Sequence, residues 1–328
     1  MITKIGKSEI IDECAELIKQ GEIVAFPTET VYGLGGDALN ENAVKKIYEA
    51  KNRPHDNPFI VHVSDIEEIE KVAYLTREAE AIFKAFSPGP ITIVLKKKKE
   101  IPYCVTAGLD TVGVRIPSHP MAREFLKKCG TPIAAPSANV SKRVSPTSAQ
   151  YVYEDMNGKI PAIIDGGQCK VGIESTVLSL AGEEPVILRP GAITEEMLIE
   201  YLPNVKNHSG KVTVAPSPGM KYKHYSPIVP CVLYSNIDNA ITEYEMKEAE
   251  GKNPIILAEE KDCKLLNEKE IKCVSLGNSG EEIAHNIFDC LRKYEKQNGF
   301  LIIQAFDGKG IEVGIMNRLI KSSHGKII

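Results

Sequence analysis

Lys51-Asn52-Arg53-Pro54, followed by Asn57-Pro58, places two cations one residue apart in a segment stiffened by two prolines. Lysine supplies a point charge and arginine a planar fork, a pair suited to phosphate when held on a fixed loop. The same cations leaving a helix C-terminus also serve as complements to the helix dipole, so the pair alone leaves both readings open. Arg115, in the apolar run Gly113-Val114-Arg115-Ile116-Pro117, cannot be buried unpaired and needs a carboxylate or phosphate partner. His62, within Phe59-Ile60-Val61-His62-Val63, is either a satisfied core histidine or a group facing a ligand cleft.

Three further polar islands stand at the ends of expected strands, where open α/β sheets gather ligands. Phe26-Pro27-Thr28-Glu29-Thr30-Val31-Tyr32-Gly33-Leu34-Gly35 offers hydroxyls, and glycines that allow close backbone approach to a ligand. Pro136-Ser137-Ala138-Asn139 runs on to Ser145-Pro146-Thr147. Asp165-Gly166-Gly167 precedes Gly172-Ile173-Glu174-Ser175-Thr176-Val177 and Arg189-Pro190-Gly191. The combined inventory suits one polyanionic ligand and one small polar ligand. Gly-x-Ser-x-Gly, His-Glu-x-x-His and a histidine–cysteine cluster are all missing, which weakens hydrolase and zinc readings. Transfer at phosphorus remains, where positioning and charge neutralisation do most of the catalysis. Two apparent motifs fail on context. Gly6-Lys7-Ser8 lacks the earlier glycine of a P-loop and reads as a helix start with Ser8 as cap; Gly33-Leu34-Gly35-Gly36-Asp37-Ala38 lies too far from its strand for a dinucleotide loop.

The elements that must position these groups follow from periodicity. Ile11, Cys14, Ala15 and Ile18 mark a helix over 9–20 that stops at Gly21; Asn40 and Thr76 cap two more. Strands are expected over 22–26, 59–63, 91–95, 112–116, 132–135, 162–165, 176–180 and 186–188. After the tract 204–227, rich in proline and lysine and free of acid, the alternation restarts, with strands over 228–233, 254–257, 272–275 and 300–304. A helix there runs from Ser279, boxed with Glu282, toward Gly299. The expected fold class is α/β: a twisted mixed-sheet N-terminal domain with a ligand cleft, plus a smaller Rossmann-like C-terminal domain. The boundaries are 1–203, a linker or lid at 204–227, and 228–328.

Bulk properties bound the function. The 328 residues exceed one typical core, and a net charge of −4 is not that of a chain built to coat nucleic acid or an anionic membrane. Eight cysteines without a Cys-x-x-Cys pair, no apolar run of signal-peptide length and no run of ~18 apolar residues indicate a cytoplasmic protein with cysteines mostly in cores.

The stretches FPTETVYGLG, KNRPHDNPFIVHV, SPGPITIVL, VGVRIP, PSAN, SPT, DGG, GIESTV and LRPGAIT occur in the order found in the threonylcarbamoyl-AMP synthase family, which this chain resembles throughout. The linker SPGMKYKHYSP and the ending IMNRLIKSSHGK resemble its long, two-domain form, with a YrdC-like catalytic domain. The resemblance implies synthesis of threonylcarbamoyl-AMP from L-threonine, bicarbonate or carbon dioxide, and ATP with magnesium. Pyrophosphate leaves, and the product passes to a transferase complex that modifies tRNA. It further implies a phosphate-gripping, catalytic tetrad of Lys51, Arg53, Ser137 and Asn139, joined at ATP by Ser145, Arg189 and Tyr225. Threonine falls to Thr30, Tyr32, His62, Arg115, Ser175 and Thr176, and no metal ligand comes from the protein. Two departures stand out: Ser141 is followed by Lys142 where the family has glycine, and Phe59 replaces leucine.

Readings from other classes are an RNA-binding module without ATP chemistry, a carbamoyl transferase of hydrogenase maturation, and a plain amino-acid adenylating enzyme. The second requires zinc motifs that the sequence lacks; the others are separated by experiment.

Overall fold

The computed structural model describes residues 2–208 and 225–328. Most of the expected linker or lid, including Lys211, Lys221, Lys223 and His224, lies outside the described residues. The chain forms two compact units, one of residues 2–141 and 145–208, the other of residues 142–144 and 225–328.

The first unit carries an eleven-stranded mixed sheet. Its strands are β1 (Lys4–Gly6), β2 (Val24–Phe26), β3 (Gly33–Asp37), β4 (Ile60–His62), β5 (Ile91–Lys96) and β6 (Thr111–Arg115), followed by β7 (Ile133–Ala135), β8 (Ala162–Ile164), β9 (Thr176–Ser179), β10 (Val186–Arg189) and β11 (Lys206–Asn207). In space the order is β1-β8-β2-β3-β7-β4-β6-β5-β9-β10-β11. The helices are α1 (Ile11–Lys19), α2 (Glu41–Lys51), α3 (Arg77–Phe86), α4 (Tyr103–Thr106), α5 (Pro120–Cys129), α6 (Ala149–Met156) and α7 (Glu195–Ile199). Ile11, Cys14, Ala15 and Ile18 bury the α1 stripe against Phe125, Leu126 and Phe26. Asn40 accepts from the amides of Asn42 and Ala43, and Thr76 from that of Ala79, so both expected caps form.

Some local expectations need correction. Ser8 caps nothing: it opens a short 3-10 turn that runs into α1. Gly33–Asp37, read as a loop, is a central strand, antiparallel to β2 and β7. Its glycines answer to packing: a Cβ on Gly35 would lie 2.7 Å from Ile133 Cγ2 and 2.8 Å from Phe26 Cε1. Steric room for Phe26, rather than room for a ligand, dictates glycine there.

The second unit is a four-stranded parallel sheet in the order β12-β15-β13-β14, comprising β12 (Cys231–Tyr234), β13 (Pro254–Ala258), β14 (Cys273–Ser275) and β15 (Phe300–Gln304). Its helices are α8 (Ile237–Ala249), α9 (Glu260–Glu268), α10 (Gly280–Tyr294) and α11 (Ile311–Ser322). Ser279 caps α10 through the Glu282 amide, but the Glu282 carboxylate reaches the amide of Asn278, one residue short of a reciprocal box. Cys263 and Cys273, expected as core thiols, are joined as a disulfide. No helix among the described residues is long and apolar enough to cross a membrane.

Candidate active site

One loop organises the polar islands of the first unit. Phe26 and Gly33 pair across β2 and β3, so Pro27–Tyr32 is the short connection between them. Thr28 folds it: its hydroxyl donates to the carbonyl of Val31 and accepts from the amides of Thr30 and Val31. A hydroxyl has one proton, so the 2.8 Å contact between the Thr28 and Thr30 hydroxyls must take its proton from Thr30. Arg115 Nη1 in turn donates to Thr30 Oγ1 at 2.8 Å. A directed chain therefore runs from Arg115 through Thr30 and Thr28 to the Val31 carbonyl.

Arg115 ends β6 beside His62, which ends β4; the two are register partners. The guanidinium also donates from Nη2 to Glu29 Oε1 at 2.7 Å and from Nε to the Gly89 carbonyl at 3.4 Å. Glu29 Oε2 accepts from the amide of Ser118. These three bonds engage three of the five N–H groups of the fork, and the others can meet a ligand carboxylate. The partner that an arginine in an apolar strand demands is thus within the chain: Glu29, quoted in the sequence without a role. His62 is buried, its ring edge-on to Phe26, and its Nδ1 has no hydrogen-bond partner. Burial first, then the neighbouring Arg115 charge, push its pKa down to about 3, so it is a neutral imidazole.

Tyr32 joins the loop to two other islands. Its amide donates to the Pro146 carbonyl, and its carbonyl accepts from the Ala138 amide. Its phenol donates to the Gly167 carbonyl at 2.8 Å and accepts from the Gly166 amide at 3.0 Å. Burial raises the phenol pKa, which keeps it a neutral donor.

Three of the tetrad residues, Lys51, Ser137 and Asn139, meet around the turn after β7. Lys51, the last residue of α2, is buried, and its ammonium donates to the carbonyls of Ser137 (2.5 Å) and Asn139. Its own carbonyl accepts from the Ser141 amide. Ser137 donates its hydroxyl to Asn139 Oδ1, and Asp155 on α6 accepts from the Val140 amide. Helix C-terminus and turn are therefore one braced piece. Arg53 curls over its own loop, donating to the carbonyls of Asn57 and Pro58, with its guanidinium 5.2 Å above the Phe59 ring. Phenylalanine at 59 gives that cation an aromatic face that leucine would not.

At the other edge, Arg189 at the end of β10 donates from Nε and Nη2 to the Ser175 carbonyl and from Nη2 to the Ser175 hydroxyl, which also contacts Thr92 at 2.8 Å. The Thr176 hydroxyl donates to the Ile193 carbonyl and accepts from its amide, so it pins the chain after β10. Gly191 is obligatory there: a Cβ would stand 2.6 Å from the Thr176 amide nitrogen. Ser145 donates to Glu174 Oε1 at 2.5 Å. Tyr225 belongs to the second unit, stacked on Phe288 with its carbonyl accepting from Ser322. Glu29, Glu174, Thr92 and Thr28 were the groups sequence reasoning missed. The first two were carboxylates in plain view inside quoted motifs, and only their distant partners reveal their work.

The described residues bring together no group of three or more His, Cys, Asp or Glu able to hold a metal ion. What the arrangement offers is anion recognition by buried, pre-oriented cations and hydroxyls.

Two family models match the chain, one described as telomere recombination (Sua5, YciO and YrdC) over residues 16–191 and one as the C-terminal domain of threonylcarbamoyl-AMP synthase over residues 193–324. The threonylcarbamoyl-AMP synthase of Bacillus subtilis is 41% identical, covering 97% of this chain and 94% of its own. That of Pyrococcus abyssi is 42% identical, covering 96% and 94%. The crystal structure of P. abyssi Sua5 complexed with L-threonine matches with a TM-score of 0.91 at 40% identity, over 100% of this chain and 98% of that one.

Proposed function

The chain belongs to the threonylcarbamoyl-AMP synthase family in its two-domain form, and from that premise we propose how its residues divide the work of making threonylcarbamoyl-AMP for tRNA modification. One observation carries the division. The Pro27–Tyr32 loop is hydrogen-bonded to Arg115, to the Ala138–Pro146 segment and to Gly166-Gly167, while Lys51 is bonded to Ser137 and Asn139, so all five polar islands form one connected network.

Arg115 receives the carboxylate of L-threonine, the ligand held by the P. abyssi relative, on the N–H groups not committed to Glu29, Thr30 and Gly89. Glu29 fixes the plane of the fork, and neutral His62 and Tyr32 wall the pocket without adding charge. Ser175 and Thr176 close it from the start of β9. Lys51, Arg53, Ser137, Asn139, Ser145 and Arg189 grip the phosphates of ATP. Magnesium enters with ATP as part of the substrate.

The threonine amine first captures carbon dioxide, forming an N–C bond and losing a proton to give a carbamate. A carbamate oxygen then bonds to the α-phosphorus as the α–β bridging P–O bond breaks, and its electron pair leaves with pyrophosphate. Lys51 and Arg53 offset the charge that grows on the phosphates, a preorganised stabilisation that costs no reorganisation at the moment of reaction. Mass spectrometry of a quenched mixture of enzyme, ATP, threonine and bicarbonate tests the product directly: a species of the mass of threonylcarbamoyl-AMP is expected. Finding only unmodified threonyl-AMP would refute the carbamate step.

A further inference from the structure

The loop that presents Arg53 is wound around one buried side chain of the first unit. Tyr48 lies on α2, one turn before Lys51, and is only 2% exposed. Its carbonyl accepts from the amides of both Asn52 and Arg53, and Asn52 turns the chain out of the helix at φ +49°. Farther along, His55 stacks on the Tyr48 ring with centroids 4.3 Å apart and planes 22° from parallel. On the return into β4, Phe59 packs against the same ring at 4.5 Å. Arg53 rides on that return, its guanidinium 5.2 Å above Phe59 and bonded to the carbonyls of Asn57 and Pro58.

The phenol is the inner anchor. It donates to the Cys104 carbonyl on α4 at 2.9 Å, and the carbonyls of His55 and Asn57 stand within 3.5 Å of the same oxygen. Burial pushes its pKa up to about 12, so it keeps the proton which that bond needs. The Val105 carbonyl of α4 also accepts the Phe59 amide at 2.8 Å. The bonds of Arg53 to Asn57 and Pro58 lie within its own loop and move with it. They fix the guanidinium relative to residues 57–59, whereas Tyr48 fixes residues 52–59 relative to α2 and α4.

We propose that Tyr48 is a positioning residue for ATP use: as the post around which residues 52–59 are wound, it sets where the Arg53 guanidinium meets the phosphates. The inference rests on the assignment of Arg53 to the phosphates. A displacement of about 1 Å in a charge-stabilising group is enough to cost on the order of 10²-fold in rate.

The test uses the full-length enzyme carrying Tyr48→Leu, Tyr48→Phe, His55→Ala or Arg53→Ala, with pyrophosphate release followed at varied ATP and varied threonine. In Tyr48→Leu, kcat/KM for ATP is expected to fall about tenfold or more. KM for threonine is expected to move less than about threefold, because the partners of Arg115 lie on the Pro27–Tyr32 loop and at Gly89. Tyr48→Phe keeps both ring contacts and is expected to stay within about threefold of the wild type. His55 is exposed, so His55→Ala keeps the test open if Tyr48→Leu fails to fold, and it is expected to lose about threefold or more in kcat/KM for ATP. A folded Tyr48→Leu with wild-type kcat/KM for ATP and only a lowered melting temperature overturns the proposal, as does a wild-type value in His55→Ala where Tyr48→Leu does not fold. Equal rises in KM for ATP and for threonine also overturn it, since the damage would then be general. Wild-type turnover in Arg53→Ala would instead remove the assignment beneath the proposal.

Discussion

Arg115 and Glu29 form an ion pair at 2.7 Å with both side chains buried, although they lie 86 positions apart in sequence. Such a pair adds little net stability over an apolar one, but removing one partner strands a buried charge, at a cost of about 3–5 kcal/mol. Glu29→Gln is therefore expected to lose about 3 kcal/mol in urea unfolding. If Arg115 receives the threonine carboxylate, saturating threonine replaces the missing anion and protects the variant more than the wild type. Equal protection of both proteins would remove Arg115 from the threonine site.

Arg53 holds its loop through the carbonyls of Asn57 and Pro58 and sits over Phe59. Arg53→Ala is expected to lower turnover by about 10²–10³-fold, the usual loss for one preorganised charge-stabilising donor. Steady-state pyrophosphate release measures it, and near-normal turnover would contradict the assignment.

His62 stays neutral in the folded protein down to about pH 3, whereas in the unfolded chain it protonates near pH 6.5. Between those values the unfolded state binds a proton that the native state refuses, so stability falls as the solution is acidified from 6.5 toward 3. The accumulated loss is on the order of 5 kcal/mol. Urea unfolding between pH 7 and pH 4.5 is expected to show the slope, and His62→Gln to flatten it. An unchanged slope in the variant would locate the effect in another group. Activity between pH 6 and 8 owes no inflection to His62.

Much of this was legible from the residues. Repeating apolar positions gave α1 and α2, the helix caps at Asn40 and Thr76 form as expected, and the second α/β pattern is there as a parallel sheet. The candidate-site groups announced themselves as polar residues at strand ends. What was hidden depends on distant packing. Gly33–Asp37 carries almost no strand-forming side chains and is a strand because it pairs with β2 and β7, with glycine required where Phe26 and Ile133 occupy the space a Cβ would need. Glu29 and Glu174 acquire meaning only from Arg115 and Ser145, and no local pattern places Lys142–Val144 in the other unit. The disulfide between Cys263 and Cys273 likewise needs α9 laid against β14.

Lys142 adopts φ +76°, a conformation that costs an L-residue about 1–2 kcal/mol. Part of that cost is offset by the greater freedom glycine has when unfolded. Lys142→Gly is expected to gain about 0.5–1 kcal/mol in equilibrium unfolding, and Lys142→Val to lose stability, because a β-branched residue tolerates that region least. A loss on introducing glycine would show that the lysine side chain contributes more than its backbone costs.

The central claim is that one network of residues joins threonine, a carbon dioxide unit and ATP. Pyrophosphate release from ATP, with threonine and bicarbonate each withheld in turn, tests it most directly. The account predicts release only when both are present. Release with threonine alone in carbon-dioxide-free buffer would mean ordinary amino-acid adenylation, and no release under any condition would contradict the account outright.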